Sequence, residues 1–323
     1  YRLVLYAFLI FFSSVLFFFL NKFFCLKMYP YCKYHFYWDK DIYKELMSFS
    51  GWSFLGQVAI VFSSQGNNIL LNMFYGVVVN AALGISNQVN SALMSFVSNF
   101  QTAFKPQITK SYANNDFEYL FNMMFYTSKM SFYLIYLLAI PIIFNIDAIL
   151  NCWLTVVPTY TANFCILMII YSLLDAVTGP FWMAIFATGK IKKYQIILSV
   201  FIFSSIILSY FSLYFGGSPE SVLWIRVGIN VLVLLIRVYF VKYLLGVPLE
   251  LFLHKVLLPV GYVVILSIPL SYLVYMQIYN FHFIFILVVI LLLNGVIVMF
   301  AGINKNERRQ ICNMVYNLKL KRV

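Results

Sequence analysis

The sequence is dominated by long runs of apolar residues, each about twenty residues long and followed by a short polar segment. A helix needs about twenty mainly apolar residues to cross the hydrocarbon core of a bilayer. Strands of a transmembrane barrel would instead show segments of about ten residues with alternating polarity. Only 10% of the residues are charged, against about 25% in soluble domains. The chain is therefore expected to be an all-α polytopic membrane protein.

A window of this length finds nine candidate transmembrane helices. They are roughly 2–21, 46–66, 77–104, 118–145, 160–188, 194–215, 221–243, 256–276 and 281–303. The segments between them contain Gly, Pro, Asn and Lys, which are typical of turns and loops. The chain opens inside the first run and without a Met, so we expect it to be a fragment of a longer protein.

The distribution of Lys and Arg orients these spans. If residues 22–45 are cytoplasmic and the chain alternates, only four of the 22 basic residues lie outside cytoplasmic segments: Arg2, Lys129, Arg226 and Arg237. Basic residues favour the cytoplasmic side. The net charge of +12 is thus an orientation signal, and no nucleic-acid partner is expected. Residues 304–323 are predicted to form a basic cytoplasmic tail that lies at anionic membrane lipids.

The segment NAALGISNQVNSALMSFVSNFQ, residues 80–101, is unusually polar for a span, with four Asn, two Gln and four Ser. Residues three or four apart share a helix face. One face carries a continuous polar stripe: Asn80, Gly84, Asn87, Ser91, Ser95, Ser98 and Thr102. Such side chains either join packed helices or line a water-filled cavity, and the length of the stripe favours a cavity. The candidate lining residues are Gln65, Asn68, Asn80, Asn87, Gln88 and Ser91.

Four charged residues lie in the interior of predicted spans, away from the span ends, where ionisable side chains are usually functional. They are Lys129, Asp175, Arg226 and Arg237. Arg226 and Arg237 are eleven residues apart, about three turns, so they lie near one face of the seventh span. Alternatively, both could extend to the lipid headgroups. Asp175 is too short to do so, and must be paired, protonated or hydrated. A structural pair between Asp175 and Lys129 is the alternative to a functional role.

Gly179 and Pro180 follow Asp175 within the fifth span. Proline lacks an N–H group and frees a backbone carbonyl inside a helix. The pair predicts a broken helix, which would suit a moving or binding element.

Three segments resemble bacterial polysaccharide-export flippases, the Wzx-type transporters of the MATE-like MOP superfamily. They are SGWSFLGQVAIVFSSQGNNILLNMFYGVVVNAALGISNQVNSALMSFVSNFQTAFKPQITKSYA (50–113), WLTVVPTY (153–160) and GPFWMAIFATGKIKKYQI (179–196). The family is expected to have two six-helix lobes, often followed by two further helices. In that register the chain is the C-terminal part. The implied parts are 1–21 (last helix of the first lobe), 22–45 (cytoplasmic linker), 46–243 (six-helix C-terminal lobe), 256–303 (two additional helices) and 304–323 (tail).

The resemblance implies a multi-pass protein of the bacterial inner membrane that acts in O-antigen, capsule or exopolysaccharide biosynthesis. Its substrate would be an undecaprenyl-pyrophosphate-linked oligosaccharide, and its partners would include the polysaccharide polymerase and chain-length machinery. Lys129, Arg226 and Arg237 would hold the pyrophosphate, and amides along 65–101 would bind sugar hydroxyls. Asp175 would couple transport to H⁺ or Na⁺. No cofactor is implied.

Two other readings stay open. A MATE-type multidrug antiporter would use an acidic, aromatic cavity for cations. A membrane-embedded enzyme of polysaccharide assembly is the second, because Asp39-Lys40-Asp41 imitates the metal-binding pair of glycosyltransferases; the short loop around it argues against this role. The five Cys show no metal-ligand spacing, so no metal site is expected. The sequence also shows no nucleophile–base pair and no Gly-rich phosphate loop, so the chain is not expected to be an enzyme.

Overall fold

The computed structural model describes residues 2–29, 31, 36–304 and 307–309. All regular structure in these residues is helical, and they contain no strand. The helices are α1 Arg2–Met28, α2 Lys40–Ala113, α3 Phe117–Phe144, α4 Ile146–Trp153, α5 Thr161–Ala187, α6 Lys192–Tyr214, α7 Glu220–Leu245, α8 Leu249–Ile278 and α9 Phe283–Gly302. The chain divides into two units, residues 1–48 and 49–323. Most of the predicted tail, 304–323, lies outside the described residues.

Among the described residues, eight helices are long and apolar enough to cross a bilayer, which indicates a protein embedded in a membrane. Helix α2 contains two of the predicted spans, 46–66 and 77–104, and is interrupted at Gly76, where φ is 79° and ψ is −174°. Glycine adopts this positive φ without steric cost. Residues 40–75 are called the first arm below, and residues 77–113 the second arm. The prediction of several apolar membrane helices is confirmed, and the count of nine stays a prediction.

Helix α5 is the most completely buried of the long helices in the second unit. It packs against α3 and the second arm on one side and against α7 on another. Helix α6 packs on α7 and on the first arm, where the hydroxyls of Ser63 and Ser205 are 2.8 Å apart. Small residues permit this close approach, because a Cβ on Gly66 would lie 3.0 Å from Ile206.

Helices α8 and α9 pack on the face of α3 that carries Tyr133 and Tyr136. The Tyr136 hydroxyl shares a hydrogen bond with Ser267 of α8. Tyr133 donates to the carbonyl oxygen of Gly302 at 3.1 Å. Position 302 requires glycine, since a Cβ there would lie 2.7 Å from the Tyr133 ring.

The predicted break at Pro180 is wrong, because α5 runs without interruption from Thr161 to Ala187. Pro180 cannot donate a hydrogen bond to the carbonyl of Ala176, four residues earlier. Gln101 of the second arm donates to that carbonyl oxygen instead, at 3.0 Å. Ser128 of α3 donates to the neighbouring Val177 carbonyl. Side chains of adjacent helices therefore satisfy the backbone that proline disrupts, as expected in a membrane.

A second difference is α4, a short helix in a segment that was predicted to be a loop. Ile146 and Leu150 lie four residues apart on one face and are buried against Cys165 of α5. Asp147 lies in its first turn, where a negative charge stabilises a helix. With eight residues, α4 is much shorter than the roughly twenty-residue apolar runs that predict transmembrane helices.

We predict that Gln101→Leu lowers the free energy of unfolding by about 1–2 kcal/mol, since it leaves a buried carbonyl without a donor. Ala in place of Pro180 would restore the backbone N–H, so Gln101→Leu should cost less in a Pro180→Ala background. Detergent or thermal unfolding of the four proteins measures this coupling. Gln57→Leu, at an exposed glutamine of the first arm, is the control. If Gln101→Leu lowered the free energy of unfolding equally in wild type and in Pro180→Ala, Gln101 would not compensate for the N–H group that Pro180 lacks.

Candidate functional site

A cavity of about 260 Å³ lies inside the second unit between the first arm, α5, α6 and α7. Its lining is mixed, with aliphatic, hydroxyl, amide and charged side chains. The lining residues are Ile60, Ser63, Ser64, Tyr171, Asp175, Leu198, Ile202, Ser205, Arg226, Ile229, Asn230, Val233 and Arg237. Three of the four ionisable residues predicted within spans thus meet in one place.

Arg237 of α7 is held by α5. Its Nη1 donates to Asp175 Oδ1 at 2.7 Å and to Thr178 Oγ1 at 2.6 Å. Asp175 and Thr178 are three residues apart and therefore share a face of α5. On the other side, Arg237 Nε donates to the Tyr194 hydroxyl at 3.4 Å. Asp175 and Arg237 form an ion pair, with side chains 28% and 13% exposed.

Arg226 has a different environment. Its guanidinium lies over the Tyr171 ring, 5.1 Å from the centroid, and it forms no salt bridge with any residue that the structure describes. One turn further along α7, Asn230 Nδ2 donates to the Tyr171 carbonyl at 3.0 Å. This bond fixes the spacing of α5 and α7 beside Arg226. With the pair Asp175–Arg237 neutral as a unit, Arg226 gives the cavity a surplus positive charge.

Three hydroxyl groups also line the cavity. Ser63 and Ser64 come from the first arm and Ser205 from α6. Ser63 and Ser205 hydrogen-bond to each other at 2.8 Å, and Ser205 also donates to the Ile202 carbonyl at 2.7 Å. The Ser64 hydroxyl can accept or donate a hydrogen bond by rotating. The cavity can therefore hold an anionic group beside the Arg226 guanidinium, with Ser64 as a further donor.

The predicted polar residues of α2 do not line this cavity. They are Gln65, Asn68, Asn80, Asn87, Gln88 and Ser91. Gln65 accepts a hydrogen bond from Asn68 at 3.3 Å, so these two amides satisfy each other. Gln88 and Ser91 are exposed, and Asn80 Oδ1 is buried without a partner. Their role in a water-filled cavity stays a prediction.

Part of the second arm does join packed helices. Asn90 accepts a hydrogen bond from Ser172 of α5, and Gln101 Nε2 donates to Ser131 of α3 at 3.0 Å. Further along the stripe, Ser98 and Thr102 are exposed and bond to carbonyls of their own helix. The arm thus has a bonded face toward α3 and α5 and an exposed polar face.

Lys129 lies apart from the cavity. It is 2% exposed, and its Nζ donates to both carboxylate oxygens of Glu307, at 2.8 and 2.7 Å. Glu307 also accepts from the Asn304 backbone N–H at 2.9 Å. The alternative pairing of Asp175 with Lys129 is wrong, since each has another partner. The Lys129 ammonium is thus neutralised by Glu307, which comes after α9 in the chain, and it does not reach the cavity.

The sequence analysis missed several residues that position the arginines, among them Tyr171, Thr178 and Asn230. Helical spacing could have identified these three residues as neighbours of Asp175 and Arg226. Tyr171 and Thr178 lie four residues before and three after Asp175, and Asn230 lies four after Arg226. Tyr194 carried no such signal, because its contact with Arg237 joins α6 to α7.

No family model matches the chain, and neither a curated protein nor a solved structure matches it. The resemblance to flippases therefore stays an expectation from the sequence.

We predict that Glu307→Gln lowers the free energy of unfolding by about 3 kcal/mol, because it leaves a buried ammonium unpaired. Lys129→Met should cost less, since the Glu307 side chain is 20% exposed and can remain hydrated. The double variant Lys129→Met/Glu307→Gln should recover most of the loss. Chemical denaturation in detergent micelles measures these differences. Glu250→Gln, at an exposed glutamate, is the control, and additive losses in the double variant would contradict the pairing.

Proposed function

We propose that this chain is part of a transporter that flips undecaprenyl-pyrophosphate-linked oligosaccharides across the bacterial inner membrane, in the manner of the MATE-like MOP superfamily. One observation carries the proposal. Arg226 lines a cavity among the apolar helices together with the pair Asp175–Arg237, and it forms no salt bridge with any described residue. A surplus guanidinium in a low-dielectric cavity favours an anionic ligand.

The order of helices supports the same proposal. The two arms of α2 with α3, α5, α6 and α7 give six apolar segments, and α8 and α9 follow them. That order agrees with a six-helix lobe followed by two additional helices, the arrangement expected from the resemblance. The Lys and Arg distribution supports a cytoplasmic C-terminus.

The chemistry of the cavity fits the charged head of such a substrate. A guanidinium presents a planar set of N–H donors that binds phosphate oxygens in a bidentate manner. The volume of about 260 Å³ is below the range of about 300–1,000 Å³ typical of sites for whole drug-sized ligands. We expect the pyrophosphate to enter this cavity, and the glycan and polyprenyl chain to lie outside it.

Asp175 could couple substrate transport to the binding of H⁺ or Na⁺. It holds Arg237 at 2.7 Å, so it competes with an incoming anion for the same guanidinium. Binding of H⁺ or Na⁺ at Asp175 would weaken that pair and make Arg237 available beside Arg226. Rocking of helix bundles around a site near the midplane would then expose the cavity to each side in turn.

The alternatives fit the cavity less well. A cation antiporter needs surplus negative charge, whereas the one carboxylate in the lining is paired with Arg237. The described residues that line the cavity include no His, no Cys and no second carboxylate. They therefore offer no general base beside a nucleophile of the kind that hydrolases and transferases use.

We predict that the purified chain binds farnesyl pyrophosphate, a prenyl pyrophosphate probe, and that Arg226→Gln weakens this binding by about 10–100-fold. The estimate follows from losing charge-assisted hydrogen bonds of about 1.5–3 kcal/mol. Arg226→Lys should retain part of the affinity. Isothermal titration calorimetry in detergent measures the dissociation constants.

Arg308→Gln is the matched control, because Arg308 also lies over an aromatic ring, 4.9 Å from the centroid of Phe300, and does not line the cavity. Unchanged pyrophosphate binding in Arg226→Gln would overturn the assignment. Tighter binding of tetraphenylphosphonium than of pyrophosphate would favour the cation antiporter. Expression of the encoding gene in a flippase-deficient strain, with surface polysaccharide as the readout, tests the biological substrate.

We predict that Asp175→Asn binds the same probe more tightly than wild type, because the competing carboxylate charge is removed while the side chain keeps its shape. Restoration of surface polysaccharide should nevertheless be lost, since Asn cannot exchange a proton or an ion. Asp147→Asn, at an exposed aspartate of α4, should change neither property. Weaker binding in Asp175→Asn would show that Asp175 orients Arg237 for the ligand instead of competing with it.

A further inference from the structure

A second cavity lies at the end of the helix bundle where α5 ends and α6 begins. Its volume is about 620 Å³. Four elements meet there: the end of the second arm, the end of α5, the start of α6 and the last turns of α7. The lining residues are Tyr112, Thr188, Lys190, Lys192, Lys193, Phe240, Tyr243 and Leu244. We call it the lysine pocket.

The lysine pocket is strongly cationic. Lys190, Lys192 and Lys193 line it, no carboxylate is part of the lining, and neither salt bridge of the described residues involves these lysines. The left-handed Gly189, with φ of 69°, turns the chain between α5 and α6 and places the three lysines along one rim of the pocket. Lys192 Nζ lies over the Trp52 ring, 5.0 Å from its centroid. Lys193 also lies over the Tyr243 ring, 5.9 Å from its centroid.

The backbone adds to this positive charge. Helix α6 begins at Lys192, and no side chain caps its N-terminus. The first N–H groups of a helix have no partner within the helix and carry a partial positive charge. They begin within the same three-lysine segment, so both the side chains and the helix end favour an anion.

An apolar groove continues from the lysine pocket along α6 and α7. Lys193, Phe240 and Tyr243 line both, and the groove extends to Ile196, Ile197 and Tyr239. Ile196 and Ile197 are about 39% and 38% exposed. The rings of Tyr239 and Tyr243 stack at 6.2 Å with an interplanar angle of 8°. Tyrosines of this kind are enriched at the level of lipid headgroups.

We propose that the lysine pocket and its groove bind an anionic phospholipid, with the headgroup phosphate among the three lysines and an acyl chain along Ile196, Ile197 and Tyr239. A free phosphate would use the pocket and leave the groove empty. A neutral lipid would use the groove and leave three ammonium groups unneutralised. Only an amphiphile with an anionic head satisfies both, and basic pockets between transmembrane helices bind such lipids. The site is separate from the cavity that contains Arg226.

The test is native mass spectrometry of the detergent-solubilised protein, titrated with phosphatidylglycerol or phosphatidylcholine. Wild type should retain phosphatidylglycerol preferentially. The variant Lys190→Gln/Lys192→Gln/Lys193→Gln should bind it at least about tenfold more weakly. The matched control is Lys27→Gln/Lys40→Gln/Lys44→Gln, which removes three exposed lysines far along the chain from the pocket and should bind like wild type.

A groove variant separates lipid binding from binding of a free anion. Ile197→Ser/Tyr239→Ser should weaken phosphatidylglycerol binding and leave that of glycerol phosphate unchanged. If glycerol phosphate displaces phosphatidylglycerol at equal concentration, the pocket is a site for soluble anions and the proposal is wrong. Equal losses in the pocket and control lysine variants would also overturn it, since lipid binding would then follow net charge alone. Neither result depends on whether the chain transports a glycan, because transport is not measured.

Discussion

The hydrocarbon core of a bilayer supplies no water to hydrogen-bond a polar group, and the described structure depends on this constraint at α5. Side chains of neighbouring helices donate hydrogen bonds to two α5 carbonyls next to Pro180. The carbonyl freed by Pro180 accepts from Gln101, and the next carbonyl accepts from Ser128. These bonds fix α5 against α3 and the second arm. Since α5 carries Asp175 one turn earlier, the same bonds determine where the carboxylate meets α7.

The placement of Asp175 then determines the charge of the cavity. An arginine and a carboxylate at 2.7 Å are together nearly neutral, so the field inside the cavity depends on the remaining ionised group. Arg226 is that group, and its contact with the Tyr171 ring stabilises a guanidinium without neutralising it. A ligand with two negative charges could engage both arginines only by displacing Asp175. In the proposed transporter, binding of such a ligand would therefore depend on whether Asp175 is paired with Arg237.

The sequence predicted the parts of this arrangement that depend on a single helix. Apolar runs located the long helices, and an eleven-residue spacing placed Arg226 and Arg237 near one face, which the cavity confirms. Contacts between helices could not be predicted in this way. These contacts depend on how each helix is rotated about its own axis. The orientation of α3 places Lys129 against Glu307, 178 positions away in the chain. The same limitation explains Pro180, since its effect on α5 depends on Gln101 of another helix. The interruption of α2 at Gly76 was not predicted either, because a glycine in the sequence does not specify its backbone φ and ψ.

The two ion pairs of the described residues differ in how easily they can be broken. Lys129–Glu307 joins α3 to the segment after α9, with a lysine that is almost fully buried and bonded to both carboxylate oxygens. Breaking it would leave a charge without water or partner, so it acts as a permanent connection. Asp175–Arg237 is more exposed, borders a cavity and uses one carboxylate oxygen. A ligand or water can replace either partner there at lower cost. Conformational change is therefore expected where α5 meets α7, while α3, α8 and α9 move together as its support.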